Sequence, residues 1–343
     1  MSEQLLGPVA ALRRIAFLLE RGREDTYKVK AFRAAAATLI PLKEAEVVAR
    51  VEDGTLTELP GVGASTAKVV AAAVRGEIPE RLAQLEERYA GPLVPGGRAL
   101  RAALRGDLHS HSDWSDGGSP IEEMAFTAIE LGHDYQVLTD HSPRLKVARG
   151  LSAERLARQL DVVDAVNDHL GEGFRLLKGI EVDILDDGSL DQTEEMLDRL
   201  EVRVASVHSK LAMEPDAMTR RMVAAVRNRH TNVLGHCTGR LVAGGRGTRA
   251  QSRFDARAVF TACAEEGVAV EINSRPERRD PPTKLLELAR DLGCLFSIDS
   301  DAHAPGQLDF LDHGCERAEA AGIEPDRIVN TWRVERLLAW ANR

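Results

Sequence analysis

The sequence predicts an α/β protein in which a small all-α domain precedes a parallel sheet, either a barrel or an open sheet. Three observations predict it. Beyond Arg105, short apolar runs of strand type alternate seven times with segments of helical apolar spacing. The periodic segments among the first ninety residues are helical. Between the two parts lies Gly91-Pro92-Leu93-Val94-Pro95-Gly96-Gly97, a turn-rich breaker. Domains are therefore expected at residues 1–93 and 104–343.

The bulk properties bound the answer. A chain of 343 residues with 43% hydrophobic and 29% charged residues suits a soluble protein of two domains. Net charge is −9, divided as +1 over residues 1–100 and −10 over the rest. Such acidity disfavours a polyanionic partner unless bound cations supply the positive field. Cys237, Cys263, Cys294 and Cys315 form no CxxC pair, which excludes a zinc knuckle or a dithiol redox motif and fits a reducing cytoplasm. No apolar run reaches the ~18 residues of a membrane span. Arg13, Arg14 and Glu20 interrupt the N-terminal apolar stretch, so a signal peptide is not expected. A cytoplasmic protein without a membrane partner is the expectation.

In the first domain, Val9–Leu19 and Val29–Leu39 have helical spacing, with Arg21, Arg23, Lys28, Lys30 and Arg33 around their junction. Next comes Leu56-Thr57-Glu58-Leu59-Pro60-Gly61-Val62-Gly63-Ala64-Ser65-Thr66-Ala67-Lys68. Pro60 stops a preceding helix, Gly61 and Gly63 permit positive φ, and a helix starts near Ala64. Backbone N–H groups at such a helix start suit a phosphate. A plain αα-hairpin would satisfy the same pattern, but the segment resembles a helix-hairpin-helix, a module that grips nucleic-acid backbones without reading sequence. On that resemblance Pro60, Gly61, Val62, Gly63, Ser65 and Lys68 are candidate DNA contacts. Ala10 to Tyr89 also resembles the small N-terminal domain of family X DNA polymerases, on Tyr27–Ala36 and the Leu59–Gly63 hairpin. Some members of that family carry a lysine on the following helix that forms a Schiff base with an abasic sugar. Here Lys68 stands one residue before the matching position, which is Val69.

In the second domain, strands are expected at Gly106–His109, Tyr135–Thr139, Arg175–Ile184, Arg203–Val207, Asn232–Leu234, Ala269–Ile272 and Leu295–Ile298. Helices are expected at Pro120–Leu131, Ala153–His169, Gln192–Leu200, Pro215–Arg227, Asp255–Glu266 and Lys284–Leu292. Parallel α/β folds build their sites at the C-terminal ends of strands. Nearly every strand here ends in a side chain able to bind metal. His109 and His111, two apart in an extended segment, share one face. Asp116 follows just before Gly117-Gly118. Asp140-His141, Glu181, His208, His236, Glu271-Ile272-Asn273 and Asp299-Ser300-Asp301-Ala302-His303 end the later strands. Six of the ten histidines fall at such positions; His133, His169, His230 and His313 lie in or beside helices.

The resulting donors are His109, His111, Asp116, His141, Glu181, His208, His236, Asp301 and His303. This nitrogen and oxygen set exceeds one tetrahedral zinc and suits two or three divalent ions, with Mn²⁺, Zn²⁺ and Fe²⁺ all compatible. Close ions lower the pKa of water and stabilise attacking and leaving oxygens, so the chemistry that fits is phosphate-ester hydrolysis.

These motifs resemble the PHP family (polymerase and histidinol phosphatase) over Arg105 to Arg343. The resemblance implies a distorted (βα)7 barrel. It implies one ion on His109, His111, Glu181 and Asp301, a second on Asp116, His141 and His303, and a third bridged by Glu181 to His208 and His236. Glu181, Asp301, His303, Asn273 and Arg278 are the expected catalytic residues. Asp107 and Asp140 are read as acceptors that orient imidazole N–H groups. Arg144, Lys210, Arg240, Arg246 and the Asn273–Arg278 segment are candidates to grip substrate, Asn273 and Arg278 foremost.

Bacterial family X polymerases end in a PHP domain, but no nucleotide-transferring palm separates the two parts here, so polymerase activity is not expected. The leading expectation is a metal-dependent DNA phosphodiesterase in repair, acting as a 3′–5′ exonuclease or on abasic sites and 3′ ends. The alternatives are a small-molecule phosphomonoesterase of histidinol-phosphatase type and a non-enzymatic DNA-binding scaffold. The sequence leaves the oligomeric state open.

Overall fold

The computed structural model describes residues 5–245 and 247–343. Arg246, a candidate to grip substrate, lies outside the described residues. The chain divides into two compact units, one ending at Leu93 and one beginning at Val94.

The first unit is helical, with α1 at Pro8–Arg21, α2 at Thr26–Leu39, α3 at Glu44–Glu52, α4 at Ala64–Val74 and α5 at Glu80–Tyr89. Pro8 sits at the start of α1, where its missing N–H costs nothing. The Asp25 side chain caps α2 by accepting from Tyr27 N at 2.8 Å. Leu12, Ile15 and Leu19 of α1 pack inward with Phe32 and Leu39 of α2, Val69 and Val70 of α4, and Leu82 and Leu85 of α5, all buried. Arg33 is not a solvated cation, because it pairs with the buried Glu20 at 2.8 Å.

The hairpin forms where expected, with one difference. Gly61 has φ +76, the left-handed region that glycine tolerates, whereas Gly63 has φ −96 and needs no such freedom. Gly63 instead precedes α4, and its N–H donates to Thr66 Oγ1 at 3.0 Å. Pro60, Gly61, Gly63, Ser65 and Lys68 are exposed, while Val62 anchors the turn in the core. Val69, at the position of the family's lysine, is buried, and Lys68 faces solvent.

The second unit begins with a short helix the sequence reading leaves in the connection, α6 at Arg98–Ala103. Leu100 and Leu104 join the core, and Gly97 N donates to Glu319 Oε2 at 2.7 Å. Seven parallel strands follow in sequential order: β1 Gly106–Ser110, β2 Tyr135–Leu138, β3 Arg175–Asp183, β4 Val202–Ser206, β5 Val233–Leu234, β6 Ala269–Asn273 and β7 Leu295–Asp299. The connecting helices are α7 Ile121–Glu130, α8 Ala153–Leu170, α9 Glu194–Asp198, α10 Pro215–Val226, α11 Ala256–Glu266 and α12 Thr283–Asp291. Two more close the chain, α13 Leu311–Ala320 and α14 Val334–Ala341.

The sheet bends at β3. Arg175–Lys178 pair with β2, and Gly179–Asp183 pair with β4. Side chains close the seam between β1 and β7. The Asn330 amide donates to Ile298 O, Asp299 Oδ1 and Gly106 O, and accepts from Ile298 N at 2.8 Å. Asp299 Oδ1 also accepts from Leu108 N at 3.0 Å. Beyond the seam, His111 N donates to Ala302 O at 2.8 Å. The result is a nearly closed seven-stranded parallel barrel whose strand ends gather at one rim.

Candidate metal centre

That rim collects the predicted donors from six strand ends. Glu181, late in β3, lies among them with a side chain 1% exposed. Its Oε2 lies 3.3 Å from His109 Nε2, 3.6 Å from His111 Nε2 and 2.9 Å from His141 Nδ1. Its Oε1 lies 3.1 Å from His208 Nε2 and 2.8 Å from His236 Nε2. Asp301 Oδ1 completes the inner part at 3.4 Å from His111 Nε2 and 3.9 Å from His109 Nε2. Asp301 has φ +52, a conformation aspartate tolerates better than most side chains.

The outer part is more open. Asp116 Oδ1 stands 3.4 Å from His141 Nε2 and 3.3 Å from His303 Nε2. The His111 ring lies 4.2 Å from that of His303 and 4.4 Å from that of His141, centre to centre, so His111 belongs to both parts. Three groups of donor atoms are close enough to share an ion: His109, His111 and Glu181; His111, Asp116, His141 and His303; and His141, Glu181 and His208. The last contains His141, where the sequence reading puts His236.

The site fits metal on its own geometry. His109 Nε2, His111 Nε2, His208 Nε2, Asp116 Oδ1 and Glu181 Oε2 are buried without a hydrogen-bond partner. Leaving one such group unsatisfied costs about 1–3 kcal/mol, so several converging on one space require a common partner. A tetrahedral ion with bonds of about 2.0–2.1 Å sets its ligands about 3.3–3.4 Å apart, the spacing found between many of these atoms. Charge distribution agrees. Burial pushes the Glu181 carboxyl up, but the imidazoles of His208, His109 and His141 outweigh it and hold it well below the usual range. Burial lowers His109, and Glu181, Glu271 and Asp301 more than reverse that. His111 is driven well below the usual value by burial and by its neighbours His303 and His141.

Two carboxylates aim the imidazoles. Glu271 Oε1 lies 2.5 Å from His109 Nδ1, turning Nε2 toward Glu181. Asp183 bonds His208 Nδ1 in the same way. Such acceptors fix the ring and raise ligand basicity. The sequence reading gives this role to Asp107 and Asp140, and the structure corrects it. Asp107 accepts from the backbone N–H of His109 and of Ser300, at 3.1 and 3.2 Å, and from the Ser300 hydroxyl. Asp140 accepts from Ser112 N at 2.9 Å, Gln159 Nε2 at 2.6 Å and the Ser115 hydroxyl. Both order the backbone that carries the histidines. The signal for Asp183 was present: it stands two residues after Glu181 and so shares its strand face.

Substrate candidates also sort differently. Asn273 is fully buried, and its amide donates to Glu271 Oε2 and Asp301 Oδ2 at 3.2 and 3.1 Å. It is therefore corrected from a catalytic group to a positioning residue. Arg278 donates to Asp301 Oδ2 at 3.0 Å and lines the cleft above the donors. Arg275 and Arg249 line it too. Lys210 bonds Asp186, Arg240 donates to the carbonyl of Arg278, and Arg144 is exposed; none lines the cleft.

Residues 107–275 match the PHP domain family model and residues 7–77 a helix-hairpin-helix domain model. Over 240 residues the chain is 37% identical to DNA polymerase/3′-5′ exonuclease PolX of Bacillus subtilis (strain 168), a match covering 70% of this chain and 41% of that protein. The chain thus spans about two fifths of that relative's length. Over 241 residues it is 27% identical to a "Probable phosphatase" of Thermoanaerobacter sp. (strain X514), covering 66% of this chain and 89% of that one. Histidinol phosphate phosphatase from Lactococcus lactis subsp. lactis, solved with zinc, L-histidinol and phosphate, superposes with a TM-score of 0.46 at 18% identity, over 64% of this chain and 95% of that one. The chain carries a PHP domain, with a helix-hairpin-helix domain ahead of it.

Proposed function

We propose that this protein is a metal-dependent DNA phosphodiesterase that trims 3′ ends, as a 3′–5′ exonuclease or in processing abasic sites, during DNA repair. The observation that carries the reading is Glu181, a buried carboxylate shared by five imidazoles beneath a cleft edged by arginines. His109, His111, Glu181 and Asp301 would hold one divalent ion. Asp116, His141 and His303, with His111 beside them, would hold a second. Glu181, His208 and His236 would hold a third, with His141 in reach. Bound there, Mn²⁺, Zn²⁺ or Fe²⁺ would supply positive charge at the phosphate and a water of lowered pKa.

The chain's own residues do the rest. Arg278, fixed by Asp301, would bind a non-bridging phosphate oxygen. Asn273 keeps Glu271 and Asp301 in place, and Glu271 keeps the His109 ring in place. Hydrolysis adds water at phosphorus and breaks the bond to the 3′ oxygen, releasing a 5′-mononucleotide. The exposed hairpin at Pro60, Gly61, Gly63, Ser65 and Lys68, set by the buried Val62, would hold the DNA backbone. Similarity to a PHP polymerase/exonuclease supports a nucleic-acid substrate, and similarity to a phosphatase over nearly its whole length supports the phosphomonoesterase alternative.

The test is manganese-dependent release of mononucleotides from a 3′-labelled oligonucleotide. Robust hydrolysis of small phosphomonoesters with an intact oligonucleotide under Mn²⁺, Zn²⁺ and Fe²⁺ would reverse the assignment.

A further inference from the structure

The cleft above the donors encloses about 590 Å³, more than a phosphate fills. Its mouth differs in character from its floor. The floor presents Asp116, His141, His208, Asp301 and His303. The mouth presents Leu145, Val147 and Ala148 from the loop after β2, and Leu241, Ala243 and Gly244 from the loop after β5. No amide, hydroxyl or carboxylate side chain occurs on those six residues, five of which carry a side chain.

Val147 is the strongest observation. It is 93% exposed, on a loop that is tightly fixed. Arg149, at φ +56, donates to Asp113 O at 2.9 Å and to Ser115 O. Leu151 N donates to His141 O at 2.7 Å. A Cβ on Gly150 would fall 1.8 Å from Ser142 O, so the loop packs too closely there for a side chain. The facing loop is closed by Leu241 and Arg249, which exchange backbone hydrogen bonds of 3.0 and 2.9 Å, and Val242 N donates to Glu277 O at 2.7 Å. Two pre-set apolar lips therefore stand over a polar floor. One exposed valine is ordinary by itself, but Val147 lines the cleft together with Leu145, Ala148, Leu241 and Ala243, and an apolar patch rimmed by polar groups is where a ligand binds. The flank between lips and floor carries Arg249, Arg275 and Arg278 against one carboxylate, Glu277, which pairs with Arg275 at 2.7 Å; the surplus of guanidinium groups favours an anionic ligand over a cationic amino alcohol.

We propose that the mouth is a nucleobase subsite: the lips sandwich the base of the terminal nucleotide while its phosphodiester lies over the donors. The proposal rests on the phosphodiesterase reading above. Methyl groups contact the flat face of any base, so the subsite reads the presence of a base and not its identity.

The experiment compares two oligodeoxynucleotides of equal length. One ends in an ordinary 3′ nucleotide and the other in a baseless tetrahydrofuran unit. Wild-type protein should show a KM about tenfold lower for the first, the scale expected for covering one valine. Val147→Ser should erase that difference and leave kcat on the baseless end unchanged; Leu241→Ser should do the same from the opposite lip. Calorimetry on the full chain gives a readout independent of turnover. Deoxythymidine 5′-monophosphate should bind about tenfold tighter than deoxyribose 5-phosphate, and Val147→Ser should remove the preference. Equal handling of both ends by wild type, or a preference that survives both substitutions, overturns the subsite alone. Failure to cleave either oligonucleotide overturns the phosphodiesterase reading, and the subsite with it.

Discussion

The inner and outer parts of the donor cluster differ in how firmly the fold holds them. His109, His111 and Glu181 have side chains 0–1% exposed, and Glu271 fixes the His109 ring from behind. Asp116 and His303 have side chains 27% and 19% exposed at the cleft. The difference teaches that one rim offers two grades of site: a deep one built with the barrel, and a shallow one open to exchange and to substrate.

Glu181→Gln should have the largest effect, because it removes charge from the carboxylate that five of the imidazoles face. Hydrolysis should fall by about three orders of magnitude, measured as kcat/KM on a labelled oligonucleotide. Glu271→Gln sharpens the comparison, since it touches only the inner part. Metal affinity there should drop about 10–100-fold, measured by competition with a chelator, with no change at the outer part.

The outer part should respond to pH. Burial lowers His141, but Glu181 and Asp116 together push it up to about 10. Its metal-free imidazole therefore carries a proton at neutral pH, and an incoming ion must displace it. Outer-site affinity should rise about tenfold per pH unit below that value, with one proton released per ion bound, read by titration in weakly buffered indicator. Asp116→Asn should cost about tenfold in activity at limiting metal and be restored by excess metal; loss that excess metal leaves unrepaired would break the distinction.

The smallest effect belongs to the hairpin. Lys68→Glu should weaken DNA binding severalfold and reduce the slope of affinity against salt by about 1, while hydrolysis of a small phosphodiester stays unchanged.

The site was legible because a parallel α/β fold sends strand ends to one rim, so histidines and acids at those ends had to converge. What the sequence concealed was which carboxylate faces which ring. Asp107 and Asp140 neighbour the histidines in sequence but bond backbone and hydroxyl groups, whereas Glu271 reaches His109 across 162 positions. Such pairings depend on strand register, which apolar periodicity does not specify. Helix α13 has no range among the expected helices, although His313 is placed in or beside one, because Gly314 interrupts its apolar pattern. The structure explains the glycine: a Cβ at Gly314 would fall 2.3 Å from Ser274 Oγ. The barrel seam was equally hidden, since Asn330 closes it with a side chain in place of a strand ladder.

Elemental analysis of the purified full chain, after reloading with divalent metal and desalting, tests the central claim most directly. Wild type should retain two or three ions per chain, and Glu181→Gln should retain fewer. A wild-type chain that keeps none under these conditions would contradict a metal centre at the barrel rim and the hydrolysis built on it.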